Sequence, residues 1–147
     1  MFVRTEGNKI FVEGEVISTN PGKPNVEGRI LGPEEITVKI RKDDAEYLRE
    51  LLEPSFEGME HKYKPSILKR KSNTVKFKSS FPIRCWVGDA GYHALFYLCE
   101  EKGIIRGSRV VLCLEAIKNK CLFVRSLTFP WLNYHNLKNF FETEAIE

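Results

Sequence analysis

The chain has 147 residues, of which 42% are hydrophobic and 29% charged, and its formal net charge is +3. This is the size and balance of one ordinary globular domain, which argues against wholesale disorder. No apolar run approaches the roughly 18 residues of a membrane span, and the N-terminus has no apolar signal-peptide region.

The small net charge hides a segregation. Residues 1–60 carry eight Lys/Arg against thirteen Asp/Glu. Residues 61–88 carry eight bases (Lys62, Lys64, Lys69, Arg70, Lys71, Lys76, Lys78 and Arg84) and no acid. A second basic block spans 102–125. Blocks of this kind are the electrostatic footprint of a polyanion binder, although a basic run can also be merely solvated surface. Cys85, Cys99, Cys113 and Cys121 are scattered through apolar stretches without a C-x-x-C pair. They read as reduced, buried thiols, so the expected compartment is the cytoplasm.

In chain order, Lys9–Ser18 alternates apolar and acidic residues and predicts a strand. A Pro/Gly turn follows, then two short strands at Val26–Leu31 and Ile36–Ile40, separated by Gly32-Pro33. In the second, Lys39 and Arg41 fall on one face. Asp43 with Glu46 three residues later has capping-box spacing. Ala45, Leu48 and Leu52 then form a helical stripe ending at Pro54. Residues 54–74, with two prolines, a glycine and a Lys-Arg-Lys triplet, predict a long mobile connection. Extended segments follow at Thr74–Phe77 and Pro82–Val87. Tyr92–Lys102 has helical spacing with Gly103 as its stop, while a strand at 94–99 stays open as the alternative. Arg109–Ile117 and Leu122–Phe129 flank a basic tip containing Lys118 and Lys120, the pattern of a hairpin. Trp131–Phe141 closes the chain as a helix.

This order predicts a mainly β fold: a five-stranded barrel with a helix after the third strand, a helix before the final hairpin and a C-terminal helix. Residues 1–130 would form this barrel as one polyanion-binding domain. Residues 131–147 would either belong to it or make an oligomer contact. No internal repeat is visible.

Signals for catalysis are thin. The three aspartates, Asp43, Asp44 and Asp89, do not supply a two-metal constellation. His61, His93 and His135 have no partner at metal-site spacing, and no nucleotide-cradling glycine motif occurs. Cys85 with His93, or a zinc site using Cys113 and Cys121, would need partners assembled in space. The expectation is no enzyme, no cofactor, no metal and no small-molecule substrate.

What remains is positive charge interleaved with aromatic rings. Lys76, Phe77, Lys78, Phe81, Arg84 and Trp86 lie within eleven residues. Lysines neutralise phosphates and rings stack on bases, and together they hold a single strand without reading its sequence. The rings could equally be core. The candidate binding residues are Lys39, Arg41, Lys69, Arg70, Lys71, Lys76, Lys78, Arg84, Trp86, Arg109, Lys118, Lys120, Phe123 and Arg125.

The stretches VKFKSSFPIRCWV, GIIRGSRVVLCLEAI and KNKCLFVRSLTF resemble the C-terminal half of phage-type single-stranded DNA-binding proteins. Phe81-Pro82-Ile83 and Gly107-Ser108-Arg109-Val110 carry the likeness, and ITVKIRKDDAEYLRELLE extends it over about residues 36–129. Size and layout also resemble the atypical (PrgE-like) binders of conjugative plasmids. The resemblance implies an OB fold that coats single-stranded DNA in replication, recombination or conjugative transfer, with self-association along the strand. Duplex DNA or RNA as ligand, and a protein-interaction module, are the alternatives. The C-terminal ETEAIE departs from the strongly acidic tip such proteins use to recruit partners.

Overall fold

The computed structural model describes residues 3–102, 106–117, 121–132 and 134–146. It is mainly β, an open mixed sheet of eight strands with several helices. The strands are β1 (Val3–Glu6), β2 (Lys9–Asn20), β3 (Glu34–Lys39), β4 (Thr74–Ser79), β5 (Arg84–Trp86), β6 (Tyr92–Ala94), β7 (Arg109–Ile117) and β8 (Cys121–Thr128). Their spatial order is β4-β3-β2-β7-β8-β5-β6, with β1 paired to β2. All pairings are antiparallel except β5 with β8. The helices are α1 (Lys42–Leu52), α2 (Ser66–Lys69), α3 (Leu95–Tyr97) and α4 (Tyr134–Ile146). Among the described residues, no helix is long and apolar enough to cross a membrane.

Side-chain alternation builds two apolar layers. Ile10, Val12 and Val16 of β2 meet Ile36 and Val38 of β3, Val75 and Phe77 of β4, and Leu112 and Leu114 of β7 on one face. Ala45, Leu48 and Leu52 of α1 join this main core, as the helical stripe predicts. The opposite face of β2 and β7 presents Phe11, Val111 and Cys113, which α4 covers with Phe140 and Phe141. Phe11 meets both rings edge-on, at 5.9 and 4.9 Å between centroids. The C-terminal helix thus packs on its own sheet.

Polar ties fix α4 in register. The Glu144 carboxylate is fully buried and accepts from Arg125 Nε at 2.9 Å and from the Tyr92 hydroxyl. Buried Lys9 donates to the Glu144 backbone carbonyl at 2.7 Å. Arg125 reaches Glu144 because it is the extra residue of a β-bulge: Cys113 pairs with Ser126, and Leu114 with Val124. A second buried carboxylate, Glu34, accepts from the backbone N–H of Gly22 at 2.7 Å and of Ile83 at 2.5 Å. A side chain at Gly22 would strike the Leu31 carbonyl oxygen, so glycine is required there.

Several expectations are corrected. Val26–Leu31 is not a strand. The Asn25 side chain accepts from the N–H groups of Glu27 and Arg29, closing a turn with Val26 wholly exposed, and one isolated bridge joins Pro24 to Ile30. The helix starts one residue before Asp43, and Asp43 bonds its neighbour's N–H rather than capping. Residues 54–69 are not a plain connection. They form two short turns and α2, and buried Phe56 and Ile67 anchor them to the core. The segment after Tyr92 begins as edge strand β6 and becomes helical only at Leu95; Gly103 lies outside the described residues. The last helix begins at Tyr134 rather than Trp131.

Candidate nucleic-acid interface

β4 reads exposed-buried six residues long, so Thr74, Lys76 and Lys78 point outward while Val75, Phe77 and Ser79 point in. It ends the hydrogen-bonded order of the sheet, and its free edge approaches β8, with Cα atoms within 8 Å but no ladder between them. The segment from His61 to Lys69 passes alongside this gap. The result is a groove of about 320 Å³, walled by Lys62, Tyr63, Lys64 and Lys69 on one side, Lys76 and Lys78 on another, and Cys121 to Phe123 on the third.

Among the described residues, the groove's lining contains five lysines and no carboxylate. Lys62 and Lys76 each lie 3.6 Å from a glutamate, Glu60 and Glu35, the first pair exposed and the second partly so, and solvent weakens both. Lys64, Lys69 and Lys78 have no ion pair among the described residues. Lys69 Nζ donates to the Lys62 carbonyl at 2.9 Å, tying the two ends of the segment together. Tyr63 is 64% exposed beneath Lys62, whose Nζ lies 5.0 Å from the ring centroid. Phe123 is half-buried. Positive charge and aromatic rings therefore stand in one place.

Of the residues the sequence nominated, the structure brings Lys69, Lys76, Lys78 and Phe123 together here. The others occupy different surroundings. Lys39 is exposed on β3, and Arg41 pairs with Asp43 at 3.6 Å. Arg70 is exposed. Lys71 faces a separate depression that it shares with Glu46 and Glu50. Arg84 lies 3.9 Å over the Tyr92 ring, and Trp86 packs edge-on against the same ring and against the α4 layer. Arg109 pairs with Glu13 at 3.3 Å, and Arg125 with both Glu115 and Glu144. Lys118 and Lys120 lie outside the described residues. Sequence reasoning left out Lys62, Tyr63 and Lys64, although the acid-free run that begins at His61 already marked them.

The Lys-Arg-Lys triplet is thus divided between two surfaces. If the groove takes up an oligonucleotide, Lys69→Ala is expected to weaken binding severalfold and Lys71→Ala to leave it within about twofold, because Lys71 shares its depression with Glu46 and Glu50 and Lys69 has no ion pair among the described residues. Anisotropy titration of each variant checks this. Equal losses would place Lys71 on the same path.

The thiols are not equivalent. Burial, then the charge of Glu34, pushes Cys85 well above its ordinary range. Its cross-strand partner is His93, but no hydrogen bond joins the two side chains. Burial, then Glu144, pushes Cys113 from 9.0 up to about 12. Cys121 is exposed at the groove edge. Iodoacetamide at neutral pH is expected to label Cys121 and spare Cys85 and Cys113, read by peptide mass. Because the native Cys113 thiol keeps its proton where an unfolded one loses it, its contribution is complete below pH 9 and declines as pH rises toward about 12. Denaturation midpoints should therefore fall over that window, and less steeply in Cys113→Ala.

No family model, no curated protein and no solved structure matches this chain.

Proposed function

We propose that the protein binds single-stranded nucleic acid, single-stranded DNA first among candidates, in the groove between β4 and β8 and largely without regard to sequence. The observation that carries this reading is the convergence of five lysines, with Tyr63 and Phe123, on a groove lined by no carboxylate among the described residues. Those lysines come from 62–69 and from β4, and the strand that faces them, β8, begins 42 residues after β4 ends. Backbone phosphates would lie along the ammonium groups and unpaired bases against the rings. Phosphate contacts give affinity and register but no base identity, so the binding is general.

The same reading extends to the architecture. Successive antiparallel pairings make β4 and β8 run in the same direction, and the order β4-β3-β2-β7-β8 returns to β4 across the groove. This supports an OB-type barrel built from those five strands, with β1, β5 and β6 as additions and α4 on its outer face.

Fluorescence anisotropy with oligo-dT, duplex DNA and RNA of equal length, each titrated against salt, is the direct test. The expected order is oligo-dT tighter than duplex. Equal affinity for all three would reduce the groove to a general polyanion patch. No mobility change with any of them, together with a protein partner retained at high salt, would favour an interaction module.

A further inference from the structure

Arg49 stands on α1, outside the groove, yet its guanidinium is spent on the segment that carries the groove's lysines. Nε donates to the Ile67 carbonyl at 2.9 Å. Nη2 donates to the Arg70 carbonyl at 3.3 Å and to the Ser72 carbonyl. One planar fork thereby holds three backbone oxygens spread over six residues, from within α2 to the approach of β4. Those residues include Lys69, Arg70 and Lys71. Such a segment would gain little order by itself: α2 has four residues, far below the length at which a helix persists alone. Of its side chains, Ile67 is the one fully buried. Three N–H donors in a fixed plane are a property of arginine that lysine does not share.

We propose that Arg49 is a positioning residue, a backbone clamp that pre-organises the basic segment so that its lysines already face the groove before ligand arrives. The part concerning binding rests on the proposed function; the clamp itself does not. If the segment is ordered in only a fraction of molecules, apparent affinity falls by that fraction. Number and kind of phosphate contacts in the bound state stay the same, so the salt dependence should not change. This separates a clamp from a contact, since loss of one phosphate contact on a single strand lowers the slope of log K against log salt by about 0.7.

The test uses the full chain with Arg49→Lys, which keeps charge and stem, and Arg49→Met, which keeps the stem alone. Hydrogen exchange of the free proteins comes first. Amides of 66–72 should exchange about tenfold faster or more in both variants, with β2 and β7 unchanged as the internal control of folding. Fluorescein-labelled oligo-dT should then bind roughly tenfold more weakly with an unaltered salt slope. Unchanged exchange over 66–72 would overturn the clamp, and a slope reduced by about 0.7 would make Arg49 a phosphate contact instead. Should the unsubstituted protein fail to bind oligo-dT, the proposed function falls. The exchange comparison would still decide whether Arg49 orders the segment.

Discussion

Glu144→Ala is expected to cost about 3–5 kcal/mol of folding stability, because it removes a buried carboxylate that two part-buried side chains share. The carboxylate has no solvent contact and balances Arg125 at 2.9 Å, whose side chain is only 22% exposed. It also accepts a hydrogen bond from the half-buried Tyr92 hydroxyl. Without it, Arg125 keeps Glu115 at 3.5 Å, a longer and less direct pair, so the lower half of that range is the better expectation. The Lys9 bond goes to the backbone of residue 144 and survives the substitution in principle. It depends, however, on α4 staying seated over Phe11. Glu144→Gln preserves the shape and one acceptor, and should cost about half as much, since neutral hydrogen bonds contribute less than charge-assisted ones. Urea denaturation of both variants at neutral pH gives the comparison. A loss under about 1 kcal/mol for the alanine variant would mean that the apolar layer of Phe140 and Phe141 holds α4 without help.

That network also shows what the sequence could and could not convey. Alternation in KIFVEGEVIS, EEITVK, TVKFKS and the two hairpin arms is a property of neighbouring residues, so those strands and their inward faces were legible locally. Trp86 was nominated for binding because it stands among bases and rings, and Arg125 because it lies on an arm of the basic-tipped hairpin. Their actual roles depend on α4 covering the outer face of β2 and β7, and on a bulge that aims Arg125 at a residue nineteen positions away. Neither fact has a local signature. Residues 54–74 misled in the other direction. Proline, glycine and charge suggested a mobile link, yet two apolar residues, Phe56 and Ile67, sufficed to seat it, and Arg49 bonds its backbone. A basic residue on a helix gives no hint that its donors will be used on carbonyls rather than on an anion. The groove was half legible: the acid-free run announced the charge, while the partnership of β4 with β8 and Phe123 required the sheet order.

The largest effect on binding should come from the lysines that have no competing carboxylate. With five groove lysines engaged, the salt slope on a single strand is at most about 3.5, so affinity should drop roughly a hundredfold between 50 and 200 mM monovalent salt. Replacing Lys64, Lys69 and Lys78 together by alanine leaves Lys62 and Lys76, each already near a glutamate. The slope should fall to about 1.4, and the same change of salt should then weaken binding only about sevenfold. At low salt, where the release of counterions contributes most, the triple variant should bind roughly a hundredfold or more weakly than the parent. The three side chains lie at the surface rather than in the core, so stability should move by no more than about 0.5 kcal/mol each. That separation matters, because a loss of binding with an unaltered urea midpoint cannot be ascribed to unfolding. A parallel variant, Arg109→Ala with Lys39→Ala, removes two cations from positions outside the groove lining and should leave the slope near its parent value. If both variants lower the slope alike, the strand follows a broader path over the sheet. If neither does, the cations around β4 and β8 are solvated surface and the ligand must be sought elsewhere.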